Sequence, residues 1–251
     1  MINIKNTWDY ITEGMLNLIY PLNCENCGKP IRESKGYGIC RDCLKKISYI
    51  LPPLCYQCGK PFSSLVDFEK KALCSDCSYK KELLYYNRSI AYYEGAIRKS
   101  IHLLKYKKQL KLIKPLGELM VKYLLTDDFY NNKKIDLIIP VPLTEREYKK
   151  RNFNQSGLLA DYIAKYFSIP FGENFLLKNV ENLSQVGLTK NERAKNVKNV
   201  FSVNPLYKKN IKNILLIDDI YTTGATIESC SKELKKHGIV NVFALTLARG
   251  I

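Results

Sequence analysis

NILLIDDIYTTGATIESC, residues 213–230, decides the fold of this chain. Four apolar residues, Ile214–Ile217, reach two adjacent carboxylates, Asp218 and Asp219. A small-residue turn follows, Thr222-Thr223-Gly224-Ala225-Thr226, and leads into a helical pattern beginning near Ala225. A short continuous apolar run bounded by a turn is the pattern of a strand buried on both faces, as in a parallel sheet. In such proteins ligands sit beyond the carboxyl ends of the strands. Gly224 allows close backbone approach, and threonine hydroxyls with the free N–H groups of a helix N-terminus can ring a phosphate. Carboxylates repel phosphate, so Asp218 and Asp219 must serve another part of the same ligand. They can accept hydrogen bonds from a diol and help hold a magnesium ion. A sugar diol between phosphate groups fits this division of labour. Neither G-x-x-x-x-G-K-[ST] nor G-x-G-x-x-G occurs, so the ordinary nucleotide loops are excluded.

Working outward, LLYYNRSIAYYEG (83–95) reads as strand and turn, and two helical stretches follow. Their apolar positions are Ile97, Ile101 and Leu104, then Leu112, Leu116, Met120 and Tyr123. IDLIIPVP (135–142) is a second buried strand, followed by a helix with Leu159, Tyr162, Ile163, Tyr166 and Phe167 inward. FLLKNV (175–180) and IVNVFALTLA (239–248) complete the strands. Strands alternating with helices predict an α/β domain built on a parallel sheet.

Eight of nine cysteines lie before this domain as four C-x-x-C pairs: Cys24/Cys27, Cys40/Cys43, Cys55/Cys58 and Cys74/Cys77. They form an internal repeat, CENCGKPI (24–31) recurring as CYQCGKPF (55–62) and GICRDC (38–43) as ALCSDC (72–77). Two thiolates three positions apart grip one zinc, and the following glycine permits the turn that brings backbone N–H groups towards sulfur. The spacing implies one or two structural zinc ions with no open catalytic position, and it leaves open whether the pairs combine in sequence or cross-brace. A disulfide framework would need an oxidising compartment, and no export signal is seen. Cys230 reads as a small buried hydrophobe. The boundary falls near residues 80–90, giving a Cys-rich head over 1–80 and an α/β domain over 81–251.

The 251 residues carry a net charge of +16, spread over the whole chain, with 46% hydrophobic and 25% charged residues. That composition builds a real core, and the charge favours anionic partners, although a Lys-rich proteome gives the same excess. No apolar run reaches the roughly 20 residues of a membrane span, so the expected location is the cytoplasm. Ile4, Trp8, Ile11, Met15, Leu18 and Ile19 predict an N-terminal amphipathic helix packed on the body. His102 is expected on a helix surface and His237 at a helix C-terminus, compensating the dipole.

Residues 214–226 closely resemble the 5-phosphoribosyl-1-pyrophosphate (PRPP) motif of type I phosphoribosyltransferases: four apolar residues, two acids, two more residues, then T-G-x-T. The resemblance implies that Asp218 and Asp219 bind the ribose hydroxyls and that Thr222, Thr223, Gly224, Ala225 and Thr226 wrap the 5-phosphate. It narrows to the ComF family of competence proteins, ComFC with GntX-like relatives, over nearly the whole chain. IIPVPLTEREYKKRNFNQSGLLA (138–160) is similar to that family's P-V-P-x-x-x-x-R-x-x-x-R-G-F-N-Q segment through Val141, Pro142, Arg146, Arg151, Phe153, Asn154 and Gln155. QVGLTKNERAKNVKNVF (185–201) is similar to its Q-x-x-L-x-x-x-x-R-x-x-N-V-x-G-A-F loop through Gln185, Leu188, Arg193, Asn196, Val197 and Phe201. The zinc head and YEGAIRKSIHLLKYK (93–107) match as well. Asn152 stands where the family has glycine, and Asn199-Val200 where it has Gly-Ala. Because asparagine tolerates left-handed backbone, the first turn is expected to survive.

The resemblance implies a parallel sheet of the type I phosphoribosyltransferase kind, with PRPP and magnesium as ligands. Ribosyl transfer to a nitrogen nucleophile would place Arg151 on pyrophosphate, the acids beside a cationic sugar, and Arg193 on a loop that excludes water. No residue set selects an acceptor base. The family also implies handling of incoming single-stranded DNA with a competence helicase. KYKKQLKLIK (105–114) and YKKRNF (148–153) interleave lysines with aromatics, which can grip phosphates and stack bases. Lys105, Lys107, Lys108, Lys149 and Lys150 are the DNA candidates; a solvated helix face is the alternative for the first stretch.

Overall fold

The protein is described by a computed structural model over residues 23–31, 38–62, 71–80, 82, 84–131, 133–179, 200–207 and 210–250. The N-terminal helix expected from Ile4 to Ile19, and the loop residues Gln185, Leu188, Arg193, Asn196 and Val197, lie outside the described residues. In the cysteine-rich head, two short helices, α1 (Arg41–Lys45) and α2 (Ser75–Ser78), each start directly after a cysteine. The α/β part runs β1 (Tyr86–Tyr92), α3 (Gly95–Lys107), a 3-10 turn (Leu110–Leu112), α4 (Ile113–Thr126), α5 (Asp128–Asn131) and β2 (Leu137–Pro140). It continues through α6 (Glu145–Arg151), α7 (Gln155–Phe167), β3 (Leu176–Lys178), β4 (Phe201–Val203), β5 (Asn213–Tyr221), α8 (Ala225–Lys236) and β6 (Asn241–Arg249).

Four strands form one sheet in the order β1-β6-β5-β2, every pairing parallel. Alternation along each strand sends side chains to opposite faces. Ile138, Leu215, Ile217, Phe243 and Leu245 pack with Ile101, Leu104, Leu116, Met120, Leu159 and Ile163 of α3, α4 and α7. Leu137, Ile139, Ile214, Leu216, Val242 and Ala244 pack on the other face with Ile227, Cys230 and Leu234 of α8. Both faces are covered, which is why these strands read as apolar runs rather than as alternating patterns. Truncating one such fully buried leucine to alanine costs about 2–5 kcal/mol.

The head closes one edge of this sheet. Ile50 and Tyr92 amides donate to Ile90 and Ser48 carbonyls at 2.9 Å each, so residues 48–50 run along β1. The opposite edge, β2, is met by residues 170–172 through Ile138 N–H to Pro170 O at 3.0 Å and Gly172 N–H to Ile138 O at 2.9 Å. Neither edge strand is left open to pair with another chain along these stretches.

Three expectations are corrected. FLLKNV contributes only Leu176–Lys178, and that strand pairs antiparallel with Phe201–Val203 in a separate sheet. Leu176 is 1% exposed and Leu177 38%, so one face alone is buried, a pattern that suits an antiparallel ribbon. Tyr166 is exposed at the end of α7, its ring edge-on to Phe167 at 5.1 Å. The strand opening at Asn213 does not stop before the acids. It stays paired through Asp218↔Thr246 and Tyr221↔Arg249, because β6 is equally long.

Candidate functional site

The two acids lie towards the carboxyl end of β5, followed in the strand by Ile220 and Tyr221, and point to opposite faces. Asp218 is half-buried; its Oδ1 accepts from Ser156 Oγ at 3.0 Å and from the Asp219 amide at 2.9 Å. Burial, and then the neighbouring Asp219 charge, push the Asp218 carboxyl up to about 7, against the pull of those hydrogen bonds and of Lys105. Asp219 is buried, and Lys105 Nζ from α3 lies 2.5 Å from its Oδ2. This is an ion contact without the alignment of a hydrogen bond, since Oδ2 has no hydrogen-bond partner.

Beyond Tyr221 the chain turns through Gly224, whose φ of 81° and ψ of 0° are left-handed and natural only to glycine. An added Cβ there would sit 2.2 Å from Tyr221 Oη and 2.7 Å from Tyr85 Oη. The two hydroxyls bond each other at 2.9 Å, and both rings are buried, so neither can yield. Thr222, Thr223, Ala225 and Thr226 are exposed around this buried glycine, with Thr223 Oγ1 accepting from the Ala225 amide at 3.3 Å. The turn delivers the N-terminus of a 12-residue helix, α8, to the strand end. Exposed hydroxyls and a positive dipole end form a surface suited to an anion.

The carboxyl end of β2 lies beside this. Val141 N–H donates to Ile217 O at 2.9 Å, and Val141 and Pro142 are buried. Asn154 donates to Val141 O at 3.0 Å and its Oδ1 accepts from the Ser156 amide at 3.0 Å, capping α7. Arg151 donates to the buried Gln155 Oε1 at 3.1 Å, and Arg146 is exposed on α6. Asn152 ends α6 with φ 65°, so the left-handed turn survives its replacement of glycine.

The only local sequence signal for Ser156 is its place two residues after the Asn154 N-cap, which fixes it at a helix start. Arg193 lies outside the described residues.

Lys105, expected as a DNA contact, is corrected: its side chain is 15% exposed and held against Asp219, because α3 aims it inward at the strand end. Lys107, Lys108, Lys149 and Lys150 are exposed, each pair directly preceded in the chain by an exposed ring, Tyr106 or Tyr148. The Asn152 amide, oriented with its oxygen towards Lys108 Nζ at 3.1 Å and its nitrogen towards Lys149 O at 3.0 Å, joins the two lysine stretches into one surface. His102 is exposed, 4.8 Å from Tyr106, and His237 caps α8, its Nδ1 3.0 Å from Glu233 O. Cys230 is fully buried and burial raises its thiol well above the usual range.

The cysteines combine in sequence rather than cross-bracing: Cys24, Cys27, Cys40 and Cys43 form one cluster, and Cys55, Cys58, Cys74 and Cys77 another, with sulfurs all within 4.8 Å inside each. A tetrahedral ion with bonds of about 2.3 Å spaces its sulfurs about 3.8 Å apart. The observed separations are 3.8 Å for Cys24–Cys43, 3.7 Å for Cys27–Cys40 and 3.7 Å for Cys58–Cys74. Backbone amides of Cys40 and Cys74 point at Cys24 and Cys55 sulfur at 3.3 Å each, as thiolates require. Both sets fit a structural zinc ion. Among the described residues, no helix is long and apolar enough to cross a membrane.

The double zinc ribbon domain family matches residues 15–78. Competence protein F of Haemophilus influenzae is 28% identical over 239 residues, covering 94% of this chain and 100% of that protein. DNA utilization protein YhgH of Salmonella typhimurium is 26% identical over 233 residues, covering 92% and 99%. Competence protein ComFC of Bacillus subtilis is 27% identical over 218 residues, covering 84% of each. The chain is similar to competence proteins of the ComF type over nearly its whole length, and its head matches a double zinc ribbon.

Proposed function

We propose that this is a PRPP-binding, phosphoribosyltransferase-like protein of the competence type that handles incoming single-stranded DNA in the cytoplasm, with a competence helicase as partner. Residues 1–80 are its zinc-binding head and 81–251 its ligand-binding domain. The observation that carries the ligand reading is the meeting, at one strand end, of the acids Asp218 and Asp219 with the glycine turn that starts α8.

In this reading Asp218 and Asp219 accept from the ribose hydroxyls. Thr222, Thr223, Gly224, Ala225 and Thr226 hold the 5-phosphate through hydroxyls and amides. Arg146 and Arg151, with Val141, Pro142, Asn154 and Gln155, form the pyrophosphate side, and the loop bearing Arg193 excludes water. Ser156 fixes the Asp218 carboxylate, and Lys105 offsets the charge of Asp219, so two adjacent acids can coexist at one strand end. Magnesium bound with PRPP would supply charge neutralisation at the diphosphate.

The exposed lysines at the ends of α3 and α6, with Tyr106 and Tyr148 among them, support the DNA reading: cations for the backbone and rings for bases. One relative, YhgH, is named for DNA utilization. The alternative is an active phosphoribosyltransferase of nucleotide metabolism that transfers ribose 5-phosphate to a nitrogen acceptor.

Incubation with PRPP, magnesium and each nucleobase, assayed for pyrophosphate release, separates the two. The proposal expects saturable PRPP binding, salt-sensitive oligonucleotide binding and no base-dependent turnover. Saturable release with one base establishes the alternative, and absence of both PRPP and DNA binding in the zinc-replete protein rejects both.

A further inference from the structure

We propose that the second cysteine centre is a positioning element of the strand-end turn, and that Arg249 carries its geometry there. The inference rests on the reading of Thr222–Thr226 as a ligand site. The two copies of the cysteine motif are unequally placed. Gly28 and Gly59 both follow a C-x-x-C pair with left-handed φ, 73° and 68°. A Cβ on Gly28 would meet nothing within 4 Å, whereas one on Gly59 would lie 2.6 Å from Asn87 O of β1. All four cysteines of the second centre are buried, while Cys27 of the first is exposed. The first centre docks elsewhere, through Asn26 Nδ2 to Ala96 O at 3.1 Å and to Ser100 Oγ at 3.0 Å on α3.

Two chains of contact leave the second centre for the turn. Arg249, at the end of β6, donates from Nη1 to Cys58 O at 2.8 Å and brings Nη2 to 3.8 Å from Cys58 Sγ. Its guanidinium lies 4.6 Å from the centroid of the Tyr221 ring. The Tyr221 hydroxyl, paired with Tyr85, is the surface on which Gly224 rests. Separately, Lys80, three residues after Cys77, pairs with Glu228 in α8 at 2.5 Å. Four thiolates around a dication leave net negative charge, so a guanidinium beside Cys58 is electrostatically anchored while the centre is filled. The cysteine knuckle fixes Cys58 O where Arg249 reaches it, so a displaced knuckle leaves Tyr221 and the glycine turn without that support.

The test is amide hydrogen exchange at residues 222–226, with zinc content and PRPP affinity, in Cys58→Ser, Cys27→Ser, Arg249→Met and Tyr85→Phe. Arg249→Met and Tyr85→Phe are expected to keep both zinc ions yet exchange in the turn about tenfold faster than wild type, and to bind PRPP correspondingly more weakly. Cys58→Ser should lose one zinc and show the same change; Cys27→Ser should lose one zinc and leave the turn unchanged. Should Cys58→Ser fail to fold, the Arg249 and Tyr85 variants decide. Wild-type exchange in both of those variants, or equal acceleration by Cys27→Ser, overturns the proposal. If wild type binds no PRPP, the reading of the site fails, but the exchange comparison still judges the coupling.

Discussion

Lys105 Nζ and Asp219 Oδ2 lie 2.5 Å apart, joining the end of α3 to the end of β5 with both side chains largely withdrawn from water. A buried carboxylate that loses its cation keeps the full desolvation cost. Lys105→Met is therefore expected to destabilise the protein by about 3–5 kcal/mol in urea denaturation at pH 7. Adding Asp219→Asn should recover much of that loss. Additive losses in the double variant would show that the contact carries no coupling.

Asp218 gives a pH signature. Its carboxyl is raised from an ordinary value near 3.8 to about 7, so the folded state holds its proton more tightly than the unfolded chain. Its contribution to stability is full below the unfolded value and is lost as pH rises towards about 7. Asp218→Asn should flatten the stability profile across that window and raise the melting temperature more at pH 8 than at pH 4. Binding of a diol or cation, which needs the anion, should strengthen over the same range in wild type.

Gly224→Ala combines a left-handed φ with a Cβ only 2.2 Å from a buried hydroxyl. A stability loss of about 1–3 kcal/mol is expected, together with loss of anion binding at the turn. Retained affinity for pyrophosphate-bearing sugar in this variant would remove Thr222–Thr226 from the site.

Two filled centres predict two zinc ions per chain by elemental analysis, and a chelator should lower the melting temperature, because the knuckles contribute Cys24, Cys43, Cys55 and Cys58 to the two cores. One ion per chain would contradict the filling of both centres.

Each of Lys107, Lys108, Lys149 and Lys150, changed to alanine, should reduce the slope of log affinity against log salt for single-stranded DNA by about 0.7. An unchanged slope in the fourfold variant would place DNA elsewhere.

Much of this architecture is legible in the residues because local pattern and burial agree. Ile214–Ile217 reads as a two-face buried strand, and it is one. Asn152 adopts the left-handed turn its side chain tolerates. The cysteine repeat specifies structural zinc, but spacing is silent on the number of ions and on pairing, which only the placement of the knuckles decides. Lys105 reads as a surface lysine in a basic run; its inward turn depends on where α3 crosses the sheet, a long-range relation that no local period encodes. The Tyr85–Tyr221 pair and the Ser156–Asp218 bond are of the same kind, joining residues 136 and 62 positions apart. FLLKNV joins the antiparallel ribbon and not the main sheet, because a hydrophobic run reports strand propensity and not which sheet the strand joins.

The most direct measurement is calorimetric titration of PRPP with magnesium into wild type and into the Asp218→Asn/Asp219→Asn variant, each checked for zinc content and cooperative melting. Saturable binding by wild type, abolished in a variant that keeps its zinc and its fold, is the predicted result. No binding by folded, zinc-replete wild type, or equal binding by the variant, would contradict it.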